Sequence, residues 1–254
     1  MSELGTWVFR IQGKPERVAS YDAQLEDLKS DWLVNEIRHY YSRTMKRLDV
    51  TSRSLISVIE PRSAFVGFLF EIALASDRQY MLDGVFQETD PDADPAAIRA
   101  TSANNGSYPM GNGLTRLESR FYGHDDQIDA VKKTFGKSLN AATADDLGLI
   151  TSALDDIDFE DEIRIILEER ASLSPDALTG MEANHRFVGP ETMETKIFGR
   201  LTAWQNWIFV RPNAAGPTAR FAGTVRANAP ATTSSGCSNV RDIKSVQRSR
   251  LSSS

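Results

Sequence analysis

The chain has 254 residues and a formal net charge of −6. That length is enough to bury a hydrophobic core, and the acidic balance argues against nucleic acid as a partner. No stretch of the sequence approaches the roughly 20 apolar residues of a membrane span, and its start, Met1-Ser2-Glu3, does not resemble a signal peptide. The single cysteine, Cys237, cannot form an internal disulfide. We therefore expect a cytoplasmic protein that binds neither nucleic acid nor membrane.

The first elements along the chain are a strand and a long helical region. Residues 6–11 (TWVFRI) alternate enough to form a strand, and the turn Gly13-Lys14-Pro15 ends it. Residues 18–48 carry apolar side chains close to one helical stripe, with charges on the other faces. That stripe consists of Leu25, Leu28, Trp32, Val34, Ile37, Tyr41, Met45 and Leu48. Core packing explains this pattern without a further function.

Residues 55–82 form the most informative segment. Residues 55–59 are an apolar run of the length of a buried strand, and residues 61–63 interrupt it. A helix is predicted to fill the rest of the segment. At its start, Gly67 lets backbone amides approach a ligand closely, and the first N–H groups of the helix are unpaired. Glu71 follows among apolar residues, so burial would raise its pKa toward values useful for proton transfer. The alternative is that Glu71 reaches the surface and is hydrated.

Loops and acidic helices follow this segment. Residues 83–96 contain two Asp-Pro steps that exclude regular structure, and residues 104–113 are predicted to be a second loop. Residues 143–171 combine an apolar stripe with many acids, which is typical of helices with a solvated face. Gly189-Pro190-Glu191 predicts the start of another helix with proline in its first turn, and that helix is expected to end at Arg211.

The composition changes near residue 214. Residues 214–254 are rich in Ser, Thr, Ala and Arg, and they hold six basic residues against one acid. We therefore predict one domain over residues 1–213 and a disordered tail over residues 214–254. The tail is either a natural extension or the product of a frameshift. If residues 216–230 are written in plausible GC-rich codons and read two nucleotides along, they encode a sequence that resembles a continuation after Ala214.

A metal site is the rival interpretation of two short motifs. Residues 36–39 and 182–185 both have the spacing Glu-x-x-His, which places a carboxylate and an imidazole on one helical face, as in di-iron carboxylate proteins. Such a site requires two further inward glutamates and a four-helix bundle. The strand and turn segments above do not suit a bundle, so we predict no metal and no cofactor.

Two motifs resemble those of the crotonase (enoyl-CoA hydratase/isomerase) superfamily. Gly67 to Asp77 (GFLFEIALASD) resembles its second oxyanion-hole segment with the helix that follows, and Asn112 to Leu117 (NGLTRL) resembles its Gly-Gly-Thr-x-Arg-Leu segment. The stretches RLDVTSRSLISVIEPRSAF, YPMGNGLTRLESRFYG, ERASLSPDALTGMEAN and GPETMETKIFGRLTAWQNWIFVRPNA are similar to the C-terminal half of the benzoyl-CoA-dihydrodiol lyase family. The resemblance runs from about Leu4 to about Asn213. It implies an α/β fold, a crotonase-like (ClpP/crotonase) spiral of ββα units with C-terminal helices.

The resemblance also implies roles for individual residues. In hydratases of the superfamily a backbone amide holds the thioester oxygen and a glutamate three residues later is the acid or base. On this resemblance, Gly67 forms the turn, the Phe68 N–H is the donor and Glu71 is the acid. The second hydratase glutamate falls on Ser102, which cannot transfer a proton as a carboxylate does. The substrate is expected beside Ser102, Asn104 and Tyr21, although VASYD (residues 18–22) lacks the glycine usual in the first oxyanion loop.

Three functions are consistent with this resemblance. The first is a ring-opening lyase or hydrolase that converts 2,3-epoxybenzoyl-CoA (2,3-dihydro-2,3-dihydroxybenzoyl-CoA) to an aliphatic semialdehyde-CoA and formate in aerobic benzoate degradation. The second is a non-catalytic scaffold or dimerisation half of that enzyme, because the resemblance omits the N-terminal half, to which the family's catalytic glutamates are assigned. The third is an enoyl-CoA hydratase-like enzyme. The expected partners are an acyl-CoA thioester and either a second copy of the chain or the missing N-terminal half.

Overall fold

The centre of the fold is a fully buried strand, Ser54–Ile59, in a parallel four-stranded sheet. A computed structural model describes residues 5–216 of the chain. Within them the strands are β1 (Thr6–Phe9), β2 (Ser54–Ile59), β3 (Arg78–Leu82) and β4 (Ser152–Leu154). They lie in chain order, so each connection moves the chain one strand along the sheet. All six side chains of β2 are buried, as expected for a central parallel strand that is covered on both faces.

Helices fill the connections and the C-terminal part of the described chain. The α-helices are α1 (Pro15–Asp27), α2 (Trp32–Asp49), α3 (Phe70–Ala75), α4 (Arg116–Arg120), α5 (Asp125–Lys132), α6 (Ala141–Asp146), α7 (Phe159–Ser172), α8 (Pro175–His185), α9 (Thr202–Phe209) and α10 (Pro212–Ala215). Short 3-10 turns occupy Gly67–Leu69 and Ser102–Asn105, and a π-helical segment, Thr195–Leu201, leads into α9. No helix in residues 5–216 has the length and hydropathy needed to cross a membrane.

The structure corrects the prediction that residues 70–82 are one helix. Helix α3 ends at Ala75, because the backbone of Ser76 is extended. The Asp77 N–H then donates to the Leu55 carbonyl over 2.8 Å, and the Leu55 N–H donates to the Asp77 carboxylate over 2.6 Å. These bonds bring residues 78–82 alongside β2 as strand β3. The helical pattern is therefore cut short by pairing with a distant strand.

Three other boundaries also differ from prediction. The region 18–48 contains two helices, because the Asp31 carboxylate caps α2 by accepting from the N–H of Leu33 and of Val34. Strand β4 interrupts the region predicted to be acidic helices. The helix expected at Pro190 begins at residue 193 instead, so the proline precedes it.

The described chain also extends slightly past the predicted domain end at Asn213. Helix α10 runs to Ala215 and buries Ala214. Beyond residue 216, the predicted tail and Cys237 lie outside the described residues.

Candidate functional site

The Gly67 turn joins the end of β2 to α3. Gly67 has φ +52°, a left-handed conformation that favours glycine. Its N–H donates to the Arg99 carbonyl over 3.1 Å, and its carbonyl accepts from Nδ2 of Asn104 over 2.9 Å. Gly67 therefore fixes the turn through its own backbone bonds, and the Phe68 N–H is the amide that the turn presents.

Glu71 lies one helical turn further on and is 2% exposed. Its Oε1 accepts from Nδ2 of Asn104 over 2.7 Å, and its Oε2 accepts from Nη1 of Arg116 over 2.6 Å. Burial raises the pKa of Glu71, while Arg116 and Asn104 oppose that rise. Of the two alternatives that the sequence left open for Glu71, the structure shows the buried one, and both carboxylate oxygens are bound to neighbouring side chains.

Arg116 connects Glu71 to a second buried acid, Asp49. The capping box of Thr115 and Glu118 starts α4 and holds Arg116 in its first turn. The guanidinium donates to both carboxylate oxygens of Asp49, over 3.1 and 2.8 Å, and to the Tyr108 carbonyl over 2.8 Å. Burial raises the pKa of Asp49 as well, against the attraction of Arg116. One cation therefore serves two carboxylates inside the protein, an arrangement we call the Arg116 triad.

Asp22 of helix α1 lies against the Gly67 turn. A methyl group added at Gly67 would overlap the Asp22 carboxylate, so the absence of a side chain at Gly67 is what admits Asp22. Its Oδ2 accepts from the Thr101 hydroxyl over 2.8 Å, while its buried Oδ1 has no partner within residues 5–216. Burial raises the pKa of Asp22, and the Thr101 hydroxyl and the Phe68 backbone N–H oppose that rise. The amide that the sequence predicts for a thioester oxygen thus already faces a carboxylate.

The other predicted site residues are divided between this turn and the surface. The Asn104 side chain also accepts from the Thr101 N–H over 2.9 Å, so all its polar groups bind protein atoms. Ser102 is exposed and lines a cavity of about 150 Å³ together with Asp22 and Tyr108. The Phe68 ring stacks on Tyr41 with 5.0 Å between ring centres.

Tyr21 is 52% exposed. Unlike its neighbour Asp22, it is not part of the cavity lining.

Sequence reasoning missed the roles of Asp22 and Asp49. For Asp22 a signal was present, because VASYD, the segment matched to the first oxyanion loop, lacks the usual glycine and ends in this acid, which the structure places in helix α1. For Asp49 none was present, since an acid in the last turn of α2 is ordinary until the fold brings it to Arg116.

The described residues give no support to the metal alternative. No group of three or more His, Cys, Asp or Glu side chains within residues 5–216 could hold a metal ion. Glu182 instead accepts from the Ser54 hydroxyl over 2.7 Å and pairs with Arg186. The parallel sheet also differs from the four-helix bundle that a di-iron carboxylate site requires.

Comparison with solved structures identifies the fold. An enoyl-CoA hydratase/isomerase from Cupriavidus metallidurans CH34 aligns with 75% of this chain and 66% of its own, at TM-score 0.55 and 19% identity. An enoyl-CoA hydratase from Geobacillus kaustophilus HTA426 aligns with 85% of this chain and 88% of its own, at TM-score 0.56 and 14% identity. The chain has the crotonase fold. The predicted α/β class and crotonase-like fold are confirmed, and the Gly67 turn, Glu71 and the Arg116 triad are features of this crotonase-fold domain.

Comparison with curated sequences gives a closer match. Over 214 residues, 84% of this chain, the sequence is 48% identical to the benzoyl-CoA-dihydrodiol lyase of Aromatoleum evansii. The chain spans 37% of the length of that lyase. No protein-family model matches the sequence. The resemblance to this lyase that the sequence motifs indicate is therefore confirmed for the matched part.

Proposed function

We propose that this crotonase-fold domain is part of a lyase that acts on an oxidised benzoyl-CoA. The observation that carries the proposal is the 48% identity over 214 residues to benzoyl-CoA-dihydrodiol lyase. The reaction opens the ring of 2,3-epoxybenzoyl-CoA with two molecules of water, or of its hydrated form 2,3-dihydro-2,3-dihydroxybenzoyl-CoA with one, and yields an aliphatic semialdehyde-CoA and formate. The thioester substrate would also suit a crotonase fold, since the aligned structures are enoyl-CoA hydratases.

Within that enzyme we assign this domain a structural role. Glu71 is buried, and its two oxygens accept from Asn104 and Arg116, so on this proposal its carboxylate holds the domain together and does not face substrate. Ser102 supplies no second carboxylate, and Asp22 lies against Gly67 and the Phe68 N–H, the group proposed to hold a thioester oxygen. On this proposal the reacting carboxylates belong to the rest of the enzyme, and this domain completes and stabilises the assembly.

A second candidate function is an independent thioester site at the Gly67 turn. The raised pKa of the Glu71 carboxyl favours it, because a general acid or base works best when its pKa lies near the operating pH. On this alternative the Phe68 N–H would hold the thioester oxygen after Asp22 moved away. The two candidates differ in what replacement of Glu71 does to the reaction.

The test is a chimera in which this chain's residues 4–213 replace the matching part of the Aromatoleum evansii lyase. Formate release and thioester consumption are measured for the chimera, for the chimera carrying Glu71→Gln, and for this chain alone. If the domain is structural, the chimera is active, Glu71→Gln changes kcat less than about threefold, and the chain alone is inactive.

Loss of a proton-transfer group would instead lower kcat by about 10²- to 10⁴-fold. Such a loss in a Glu71→Gln chimera that still unfolds cooperatively, or turnover by this chain alone, would contradict the structural role. The elution volume of each protein with light scattering tests the predicted homodimer and the predicted pairing with the N-terminal half.

A further inference from the structure

A larger cavity lies beside the Arg116 triad, with Arg116 and Asp49 in its lining and no residue of the Gly67 turn. Its volume is about 360 Å³, within the range of small-molecule sites. The end of α3, the segment that leads into β3, and helices α4, α7 and α8 contribute its walls. Glu71 and Asp22 are not among its lining residues. We call it the arginine cavity, because Arg116, Arg120, Arg170 and Arg186 all line it.

Two of these four arginines are neutralised within the protein. Arg116 is paired with Asp49 and Glu71, as described above. Arg186 is paired with Asp77 over 3.2 Å and with Glu182 over 3.4 Å, and it also donates to the carbonyls of Leu48, Thr51 and Arg53. Each of these guanidinium groups therefore faces two carboxylates, and neither requires a ligand.

The other two arginines differ, because neither forms an ion pair with a carboxylate in the described part of the chain. Arg120 donates only to neutral acceptors, the Gly148 carbonyl over 2.6 Å and Oε1 of Gln79 over 3.1 Å. Burial lowers the pKa of Arg120. Arg170 has only a weak contact, from Nη1 to the Met181 sulfur over 4.0 Å. A buried cation without a counter-ion is unfavourable, and this applies to Arg120. An anion entering the cavity would be stabilised by Arg120 and by the half-buried, unpaired guanidinium of Arg170.

The walls of the cavity indicate what kind of anion fits. Leu74, Ala75, Met110 and Met181 give it an apolar part beside the two unpaired guanidinium groups, and methionine side chains adapt well to aromatic or aliphatic ligands. Guanidinium groups match the geometry of carboxylate and phosphate oxygens. We propose that the arginine cavity binds a small organic anion, with its carboxylate or phosphate group at Arg120 and Arg170 and its apolar body against the two methionines.

The experiment is a titration calorimetry series with the full chain. The probes are benzoate, its neutral isostere benzamide, and inorganic phosphate, which lacks an apolar body. We expect saturable binding of benzoate, weaker binding of phosphate and none of benzamide. Arg120→Gln and Arg170→Gln should each weaken benzoate binding by about 10- to 100-fold, the effect of one lost charge-assisted hydrogen bond.

The matched control is Arg164→Gln, which removes the same charge from an exposed position on α7 and should leave benzoate binding unchanged. Arg170→Gln keeps the test valid if Arg120→Gln does not fold, because Arg170 is only half-buried and its replacement leaves the core intact. Absence of saturable benzoate binding, equal binding of benzamide, or benzoate binding unaffected by both cavity substitutions would overturn the proposal. None of these outcomes bears on the lyase proposal, which the chimera tests separately.

Discussion

Arg116→Met is the substitution that tests the Arg116 triad most directly. Methionine has a similar length and leaves the site packed, but it removes the one cation between Asp49 and Glu71. Those carboxylates are 3% and 2% exposed, so water cannot replace the guanidinium. Removal of one partner from a buried ion pair costs about 3–5 kcal/mol. For a domain of this size that corresponds to a fall in Tm of about 6–20 °C.

The loss should also depend on pH. Arg116 lowers the pKa of both carboxyls, and burial raises them, so the folded pKa values of Asp49 and Glu71 rise further in the variant. An acid whose folded pKa is raised contributes stability that is present below its unfolded pKa and is lost as pH rises through the folded pKa. The variant loses this contribution over a wider pH window than the natural chain does. The difference in unfolding free energy should therefore be small near pH 4 and grow toward pH 7.

The assay is urea unfolding followed by tryptophan fluorescence at several pH values between 4 and 8. The control Arg164→Met removes an exposed arginine that pairs with Asp161 and Glu168 on the surface of α7, and it should leave the transition midpoint unchanged. A loss below about 1 kcal/mol for Arg116→Met, or a loss that is the same at pH 4.5 and 7.5, would refute the view that the guanidinium holds two buried charges.

Three further predictions concern the Gly67 turn and the arginine cavity. Asp22→Ala should vacate the face of Gly67 and give this chain saturable benzoyl-CoA binding by calorimetry; if binding stays absent, Asp22 is not what excludes the thioester. Gly67→Ala should lower the unfolding free energy by about 1–3 kcal/mol, and this loss should be smaller in the Asp22→Ala background. If the two substitutions are additive in this double-mutant cycle, the contact between Gly67 and Asp22 contributes nothing to the loss. Burial and Asp77 raise the pKa of Glu182 to about 7, so its stabilising contribution is lost as pH rises through about 7. Glu182→Gln should therefore reduce the change in unfolding free energy between pH 5 and 8. If that pH dependence stays the same in the variant, other groups are responsible for it.

Much of the fold was predictable from local patterns. A short apolar run rich in β-branched residues and followed by Pro61 favours a buried strand over a helix, and β2 is that strand. The backbone freedom of glycine explains why the turn at Gly67 was predictable from one residue. The motif resemblance added the crotonase fold. Strand β3 was missed, because its pairing partner β2 lies more than 20 residues away and a local pattern carries no information about it.

The candidate site was predictable only as a list of residues. The sequence by itself determined that Glu71 follows the Gly67 turn among apolar neighbours, which made burial one of two alternatives. Only the tertiary structure decided what the acid contacts, because Asp49 and Arg116 lie 67 residues apart in the chain, and Asp22 and Thr101 lie 79 apart. Burial follows from local hydrophobicity, whereas the partner of a buried charge depends on which distant segments the fold packs together. That difference is why the motif resemblance could propose Glu71 as an acid, whereas its contacts with Asn104 and Arg116 came only from the structure.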